Sequence, residues 1–285
     1  MKVPNQTDLT GKVAVVTGGG GILCSTLSRA LAAVGAKVAI LDLRKEAADK
    51  VAEQIAAEGG TAKGYACNVL EKASLDAVAA EIEKDFGPVD ILLNGAGGNN
   101  PKGTTSKEIL EAADLENADP SVKTFYDLDP AGISFVFNLN FLGTLLPTQA
   151  FTKHMVAAGK GTILNISSMN AFRPLTKIPA YSAAKASVSN FTEWLAVHFA
   201  KTGVRVNAIA PGFFLTDQNR ALLTNPDGSL TPRSEKILGG TPMGRFGVPE
   251  DLIGTVLWLL NDEASGFVTG VVVPIDGGFN AYSGV

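Results

Sequence analysis

The chain has 285 residues, with 24 Lys plus Arg against 28 Asp plus Glu, a formal net charge of −4 and a pI near 5.3. This balance, without any block of like charges, argues against a nucleic-acid-binding surface. A hydrophobic content of 46%, a charged content of 18% and 31 glycines fit a folded α/β protein and exclude a disordered chain or a disulfide scaffold.

The sequence favours a cytoplasmic protein without a membrane anchor. Its longest apolar stretches, such as 252–260, fall far short of the ~18 residues that span a bilayer. No basic segment followed by an apolar one precedes the first predicted strand. Cys24 and Cys67 lack the spacing of a zinc site or disulfide framework, and His154 and His198 lie in helical patterns, so we expect no metal.

Short apolar runs alternate with longer helix-period segments, which is typical of βαβ units around a parallel sheet. Strands are predicted at 12–17, 37–42, 61–66, 89–94, 161–167, 203–210 and 270–274. Helices are predicted near 23–34, 44–58, 71–86, 130–157, 180–201 and 249–260. The pattern predicts an α/β fold, a Rossmann-type doubly wound sandwich with a seven-stranded parallel sheet. Because no linker or repeat divides the chain, residues 1–285 are expected to form a single dinucleotide-binding catalytic domain.

Two segments are too long and irregular to be ordinary connections. Residues 99–130 follow the fourth strand, and residues 211–247 follow the sixth. Both leave the carboxyl ends of strands, where ligands bind in open α/β sheets. We expect an insertion and a substrate loop with short helices over a pocket; the alternative is a plain surface excursion.

A glycine turn follows the first strand. Thr17 is succeeded by Gly18, Gly19, Gly20 and Gly21, and a helix then begins near Ile22 and Leu23. Absent side chains let the backbone approach a pyrophosphate, and the helix amino terminus offers N–H donors. The turn therefore predicts a dinucleotide site.

The cofactor preference depends on two residues after the second strand. Asp42, at its end, can accept hydrogen bonds from the adenosine ribose and would repel a 2′-phosphate, which favours NAD over NADP. Arg44 points the other way, because its guanidinium could hold that phosphate.

The candidate catalytic residues lie later in the chain. Tyr181 and Lys185 are four residues apart, so they share one helix face, and the ammonium is expected to lower the phenol pKa toward the range of a general acid or base. Ser168 ends the fifth strand and places a hydroxyl at the same edge of the sheet.

At these residues, from about Leu9 onward, the chain resembles the short-chain dehydrogenase/reductase family. The motifs that carry the resemblance are the glycine turn, the segment from Asn94 to Gly97, Asn140, Ser168, Tyr181, Lys185, Pro211 with Gly212, Thr216 and the terminal Asp276-Gly-Gly. The resemblance implies a catalytic tetrad of Asn140, Ser168, Tyr181 and Lys185. Tyr181 would exchange the substrate proton, Ser168 would bind the substrate oxygen, Lys185 would hold the nicotinamide ribose, and Asn140 would order a water. The alternatives for Asn140 and Ser168 are a structural amide and a strand-end cap.

The same resemblance implies the cofactor contacts. They are Gly18, Gly20, Gly21, Ile22, Leu23, Asp42, Asn68, Val69, Asn94, Ala96, Gly97, Tyr181, Lys185, Pro211, Gly212, Phe214 and Thr216. The glycine turn departs from the family pattern Thr-Gly-x-x-x-Gly-x-Gly, because Cys24 or, with a one-residue gap, Leu23 takes the place of the last glycine. Asn68 stands where the family usually has an Asp, and its amide can still bind adenine.

A narrower resemblance, to the D-mannonate oxidoreductases or fructuronate reductases, rests on 137–149, the insertion and the carboxyl terminus. It implies a sugar-acid substrate, whose carboxylate needs a cation and whose hydroxyls need polar partners. The loops expected to line the pocket offer Asn100, Lys102, Asn170, Arg173 and Arg220, with Asn99 and Lys177. The alternative for each of them is a solvated surface residue, and Phe213, Phe214 and Leu215 leave an apolar pocket open. Alternatives are a gluconate 5-dehydrogenase-like or 3-oxoacyl reductase activity and, in another class, a non-catalytic nucleotide sensor. The helices at 130–157 and 180–201 are apolar on several sides, so a homodimer or homotetramer is expected.

Overall fold

A computed structural model describes residues 6–116, 119–216 and 223–284. It contains a seven-stranded, entirely parallel sheet in the order β3-β2-β1-β4-β5-β6-β7. The strands are β1 Val13–Thr17, β2 Lys37–Asp42, β3 Thr61–Ala66, β4 Ile91–Asn94, β5 Gly161–Ile166, β6 Val204–Pro211 and β7 Val272–Ile275. The predicted seven-stranded Rossmann-type fold is confirmed.

Helices cover both faces of the sheet. Those of the described residues are α1 Ile22–Ala33, α2 Lys45–Ala57, α3 Lys72–Phe86, α4 Pro130–Phe137, α5 Gly143–Phe151, α6 Lys153–Ala158, α7 Pro179–His198, α8 Pro232–Gly239, α9 Ile253–Leu260 and α10 Asp262–Ser265. Because strand side chains alternate, Ala14 and Val16 face a core formed with α1, α2 and α9, whereas Val13 and Val15 face one formed with α3, α5 and α7.

The predicted helix at 130–157 is wrong in its continuity. One π-helical turn, Asn138–Leu142, separates α4 from α5, and Thr152 separates α5 from α6. Pro147 lacks the N–H that a regular helix would use. Thr144, Thr148 and Thr152 each donate their hydroxyl to the carbonyl four residues earlier, at 2.6–2.8 Å.

The stretch Pro130–Phe151 is also long and apolar enough to meet a membrane-span criterion, with a mean hydropathy of 1.2 over its best window. The stretch is longer than the apolar runs that the sequence analysis identified, which fell short of a membrane span. The stretch packs against α7 and α3, and its Asn140, Thr144 and Thr148 are buried. These contacts are those of a core helix in an α/β fold, so the criterion is weak evidence for a span.

The two long segments follow the carboxyl ends of β4 and β6. The described part of the insertion contains short 3₁₀ turns at Pro101–Gly103, Ala112–Glu116 and Phe125–Asp127. The described part of the substrate loop contains the predicted turn, closed by the Gly228 N–H on the Asn225 carbonyl at 2.9 Å, and the short helix α8.

Candidate active site

The carboxyl ends of the parallel strands meet at one edge, where the predicted residues gather. From β1 the sheet runs to β2 and β3 on one side and to β4 on the other. This change of direction opens a crevice between the turns that follow β1 and β4. The two turns touch, because a side chain at Gly18, whose φ is +63°, would lie 2.9 Å from the Ala96 Cα.

The amino terminus of α1 is built to receive an anion. Gly21 is its N-cap, no side chain caps the first turn, and no acidic residue lies in it. The first N–H groups of a 12-residue helix therefore lack side-chain partners, which is the arrangement that binds phosphate. The residues present thus fit a dinucleotide pyrophosphate.

Cys24 stands where the family pattern has its last glycine, and a glycine elsewhere, Gly95, makes room for its side chain. The Cys24 Sγ occupies the space that a side chain at Gly95 would need. Burial raises the pKa of the Cys24 thiol to about 12, so this cysteine is a packing residue rather than a nucleophile. The sequence did not predict the contact between Cys24 and Gly95. It also did not predict the role of Thr17, whose hydroxyl accepts the Gly95 and Ala96 N–H groups at 3.0 and 3.2 Å.

Asp42 stands at the end of β2, beside the glycine turn. One carboxylate oxygen accepts the Gly20 N–H at 3.1 Å, and the other accepts the Arg44 N–H at 3.1 Å. Each oxygen keeps further acceptor capacity for a ribose hydroxyl. The Arg44 side chain is exposed.

The segment after β3 holds Asn68 and Val69. The Asn68 Oδ1 accepts the Leu70 N–H at 3.1 Å, and its Nδ2 donates to Glu71 at 2.8 Å. Val69 is buried against Gly143, at the start of α5. Asn68 therefore braces its own turn at the cofactor edge.

The Asn94 side chain differs from the expectation of a cofactor contact. It is fully buried, and its Nδ2 donates to Thr148 at 3.1 Å and to Asn165 at 2.9 Å. Asn165 in turn donates to Thr192 on α7 at 2.9 Å. The amide points into the core because Asn94 pairs with Asn165 across β4 and β5, so it links the sheet to α5 and α7.

Phe214, predicted as a cofactor contact, lines a pocket after β6 and is largely buried. Its ring is 7% exposed, belongs to the apolar core and covers Gly247, where a side chain would lie 2.8 Å from the ring. Gly212 lies at the edge as expected and donates its N–H to Ile275 at 2.9 Å. Pro211 ends β6, and Thr216 is the last described residue before 223.

Ser168, Tyr181 and Lys185 converge above β5. The Ser168 hydroxyl is close enough to the Tyr181 phenol to lower its pKa, and the Lys185 Nζ is 5.7 Å from the Tyr181 ring centroid. Lys185 is buried and donates to the Ile166 carbonyl at 2.8 Å. The helix α7 places phenol and ammonium on one face, as predicted from their spacing.

Asn140 lies on the π-helical turn, a feature that often marks functional sites. Its Nδ2 donates to the Gly98 and Val136 carbonyls at 2.7 and 2.8 Å, and its Oδ1 accepts the Gly98 N–H at 3.3 Å. A side chain at Gly97 would lie 2.7 Å from the Asn140 Oδ1 and 3.1 Å from the Lys185 Nζ. A larger residue at this position would therefore displace the Asn140 amide or the Lys185 ammonium, and both amide hydrogens of Asn140 are already used.

The pKa expectation for Tyr181 is wrong in sign. Burial raises the pKa of the Tyr181 phenol, and the Ser168 hydrogen bond lowers it by less. Burial also lowers the pKa of Lys185 to about 8. The reason is geometric: Lys185 donates to a backbone carbonyl and lies over the phenol ring, while desolvation acts on both groups.

Lys185→Met should raise the free energy of unfolding, relative to the unmodified chain, by more at pH 7 than at pH 10.5. The unfolded chain keeps this proton up to about pH 10.5, whereas the folded chain releases it near pH 8, so the free energy of unfolding of the unmodified chain rises between these values. At about 1.4 kcal/mol per pKa unit, the buried ammonium costs about 3 kcal/mol below pH 8.

Urea unfolding of both proteins at pH 7 and 10.5 measures this difference. Packing changes that do not depend on the charge of Lys185 are the same at both pH values and cancel, whereas the hydrogen bond to Ile166 is stronger from the ammonium than from the neutral amine. The exposed Lys160→Met serves as the control. A stability difference for Lys185→Met that does not change with pH contradicts the assignment.

The predicted substrate residues surround the same edge in the described parts of the chain. Asn170 is buried, and its N–H donates to the Ser168 hydroxyl at 3.3 Å. Asn100 accepts the Lys102 N–H at 2.9 Å, and the Lys102 Nζ lies 3.6 Å from Asp129. Asn99 donates to Thr104, and the Lys177 carbonyl accepts the Thr105 N–H. Arg173 is exposed, and Arg220 lies outside the described residues.

Comparisons with known proteins identify the family of this chain. A family model described as short chain dehydrogenase matches residues 12–227. An uncharacterized oxidoreductase of Haemophilus influenzae is 56% identical over 285 residues, covering 100% of this chain and 99% of that protein. An uncharacterized oxidoreductase of Bacillus subtilis is 54% identical over 283 residues, covering 99% and 100%.

A solved structure from Haemophilus influenza, provisionally named a D-mannonate oxidoreductase and containing bound NAD, is 55% identical. Its TM-score is 0.93, and the match covers 100% of both chains. The protein described here therefore belongs to the short-chain dehydrogenase/reductase family and is an NAD(P)-dependent oxidoreductase.

Proposed function

We propose that the enzyme interconverts a secondary alcohol and a ketone on a sugar acid, the pair D-mannonate and D-fructuronate, with NAD(H). The convergence of Ser168, Tyr181 and Lys185 at one sheet edge carries the chemical part of the proposal. The similarity to the structure named for D-mannonate oxidoreductase supports the substrate.

The cofactor part rests on the glycine turn, the uncapped α1 terminus and Asp42. The bound NAD in the related structure supports the choice of NAD. When bound, the nicotinamide supplies or accepts the hydride. The residues proposed to hold the dinucleotide are Gly18, Gly20, Gly21, Ile22, Leu23, Asp42, Asn68, Ala96, Gly97, Lys185 and Gly212.

In ketone reduction, Tyr181 donates its phenolic proton to the substrate oxygen, and Ser168 hydrogen-bonds the same oxygen. In alcohol oxidation the Tyr181 phenolate takes the hydroxyl proton back. The raised pKa of Tyr181 keeps the phenol neutral near pH 7, which suits the general acid of the reduction.

Two residues support this proton transfer. Lys185, whose pKa is near 8, is cationic at neutral pH and stabilises the phenolate left behind. Asn140 acts as a positioning residue, because its amide joins the π-helical turn to Gly98 beside Lys185. Its Oδ1 retains capacity for one further donor, such as a water molecule.

A substrate screen tests the proposal. Hexonates and keto-hexonates, including D-mannonate, D-fructuronate, gluconate and 5-keto-gluconate, are offered with NAD(H) and NADP(H), and the absorbance of the reduced cofactor is followed. A 3-oxoacyl thioester is the comparison for a reductase of acyl chains. Turnover of the thioester without turnover of D-fructuronate or D-mannonate would refute the substrate assignment.

We also propose that the enzyme acts in the cytoplasm as a homodimer or homotetramer. On α7, the Trp194 ring stacks on Phe191 and on His198, with centroid separations of 6.1 and 4.8 Å. Trp194 is 57% exposed, and Val197 is 79% exposed. An exposed aromatic row on a helix favours a protein partner. Light scattering at micromolar concentration should give a mass of two or four chains, and Val197→Glu should lower it; a monomeric unmodified protein contradicts this.

A further inference from the structure

The carboxyl-terminal segment that follows β7 forms an ordered turn beside the active-site edge. The Asp276 carboxylate accepts the Gly278 N–H at 2.9 Å and the Asn280 N–H at 2.8 Å. Gly277 and Gly278 have φ values of +64° and +90°, which favour glycine. The path of the chain up to Asn280 is therefore fixed.

This segment is joined to the loop that carries Ser168. The Arg173 Nε donates to the Asn280 carbonyl at 3.3 Å. The Arg173 N–H donates to the Met169 carbonyl at 3.0 Å, directly after the 3₁₀ turn that Ser168 caps. The exposed guanidinium of Arg173 is thus held between the catalytic loop and the carboxyl terminus.

The segment also contacts the substrate loop. The Phe279 ring packs edge-on against Phe213, with centroids 5.4 Å apart. The hydrogen bond from Arg173 and this ring contact therefore connect the loops that follow β5, β6 and β7.

Most other cations of the surrounding loops are paired with carboxylates. The ion pairs are Lys102 with Asp129, Lys107 with Asp114 and Glu111, Lys236 with Glu108, and Arg245 with Asp251. After the hydrogen bond from Lys236, the charges of Lys177 and Arg233 help to lower the pKa of Glu108. After the hydrogen bonds from Thr124, the charge of Lys123 helps to lower the pKa of Asp127. Within the described residues, Arg173 has no carboxylate within ion-pair distance.

We propose that Arg173 binds the carboxylate of the substrate and that the Asn280 main-chain carbonyl positions its guanidinium. The proposal rests on the sugar-acid function proposed above. Because Nε is occupied, the two Nη groups remain to bind both carboxylate oxygens. The carboxyl terminus thereby contributes to substrate choice without touching the reacting atoms.

Arg173→Gln tests this inference against a matched substrate pair. The keto acid and its primary amide have nearly the same shape, but the amide lacks the charge and replaces one acceptor oxygen with an NH2 donor, so kcat/KM is measured for both. Loss of a two-pronged ion pair should lower the acid-to-amide ratio at least ~10-fold, mainly through KM for the acid. Dissociation constants for NADH, from fluorescence titration, should stay unchanged, and the exposed Lys160→Gln should behave as the unmodified enzyme.

Two further variants separate charge from position. Arg173→Lys keeps the charge but loses the planar fork, so the ratio should fall to an intermediate value. Asn280→Pro removes the N–H bonded to Asp276 and shifts the carbonyl, and it should raise KM for the acid with Arg173 intact. If Arg173→Gln does not fold, Arg173→Lys decides.

The outcomes are distinguishable. Turnover of sugar acids with an unchanged acid-to-amide ratio in Arg173→Gln overturns the inference and leaves the proposed function standing. An equal loss for acid and amide also overturns it, because that pattern indicates a structural role. Absence of sugar-acid turnover by the unmodified enzyme overturns both.

Discussion

Tyr181→Phe should lower kcat at least ~100-fold, the usual scale for removal of a general acid or base. The substitution deletes only the phenolic oxygen that lies within reach of Ser168. The ring, its contact with Lys185 and the glycine turn remain, so the dissociation constants for NAD and NADH should change little. Steady-state kinetics with the best acid of the substrate screen, together with fluorescence titration of NADH, measure both quantities.

Tyr65→Phe provides the matched control. It removes the same oxygen from another tyrosine, whose hydroxyl donates to Asp85 on α3 at 2.7 Å, away from the catalytic loop. This variant can lose stability but should keep its kcat. Near-normal turnover by Tyr181→Phe would end the assignment of Tyr181 as the proton donor.

Local patterns were sufficient to predict the sheet. The strands β1, β2 and β6 are short apolar runs whose side chains are buried on both faces, whereas β3 and β7 at the edges of the sheet are only partly buried. Such runs are recognisable without tertiary information, because a parallel sheet covered by helices demands them. The predicted catalytic spacing holds for the same reason: four residues on α7 place Tyr181 and Lys185 on one face.

The helix break at Asn138–Leu142 was not predictable from periodicity. The apolar pattern continues through the π-helical turn, and the break depends on a distant contact, the hydrogen bonds between Asn140 and Gly98. The Asn94 amide is a similar case, since its partners Thr148 and Asn165 lie 54 and 71 residues away in sequence.

The pKa of Tyr181 required the structure for another reason. Spacing identifies a neighbouring ammonium, but it does not give the depth of burial or the acceptor that the ammonium chooses. Lys185 donates to the Ile166 carbonyl, and burial raises the pKa of the Tyr181 phenol by more than the Ser168 hydrogen bond lowers it. The contact of Arg173 with the Asn280 carbonyl could not be predicted either, because a main-chain acceptor does not depend on the residue type.

The choice between the two nicotinamide cofactors should depend on Asp42. The unmodified enzyme should prefer NAD(H) over NADP(H) by at least ~10-fold in kcat/KM. A carboxylate within ~4 Å of a 2′-phosphate costs on the order of a few kcal/mol at the effective dielectric of a protein surface, and about 1.4 kcal/mol corresponds to a factor of ten. The exposed Arg44 can offset only part of this, since an exposed ion pair contributes under ~1 kcal/mol.

Asp42→Ala should narrow or reverse that preference, because the repulsion disappears while Arg44 remains. The substitution also removes the acceptors of the Gly20 and Arg44 N–H groups, so kcat/KM with NAD(H) should fall as well. Asp42→Asn separates the two effects: it keeps one acceptor oxygen, removes the charge and adds a donor for a phosphate. If the charge decides, Asn shifts the cofactor ratio at least as far as Ala, with a smaller loss of NAD(H) activity. Equal or better use of NADPH by the unmodified enzyme would overturn this reasoning and transfer the 2′-phosphate contact to Arg44.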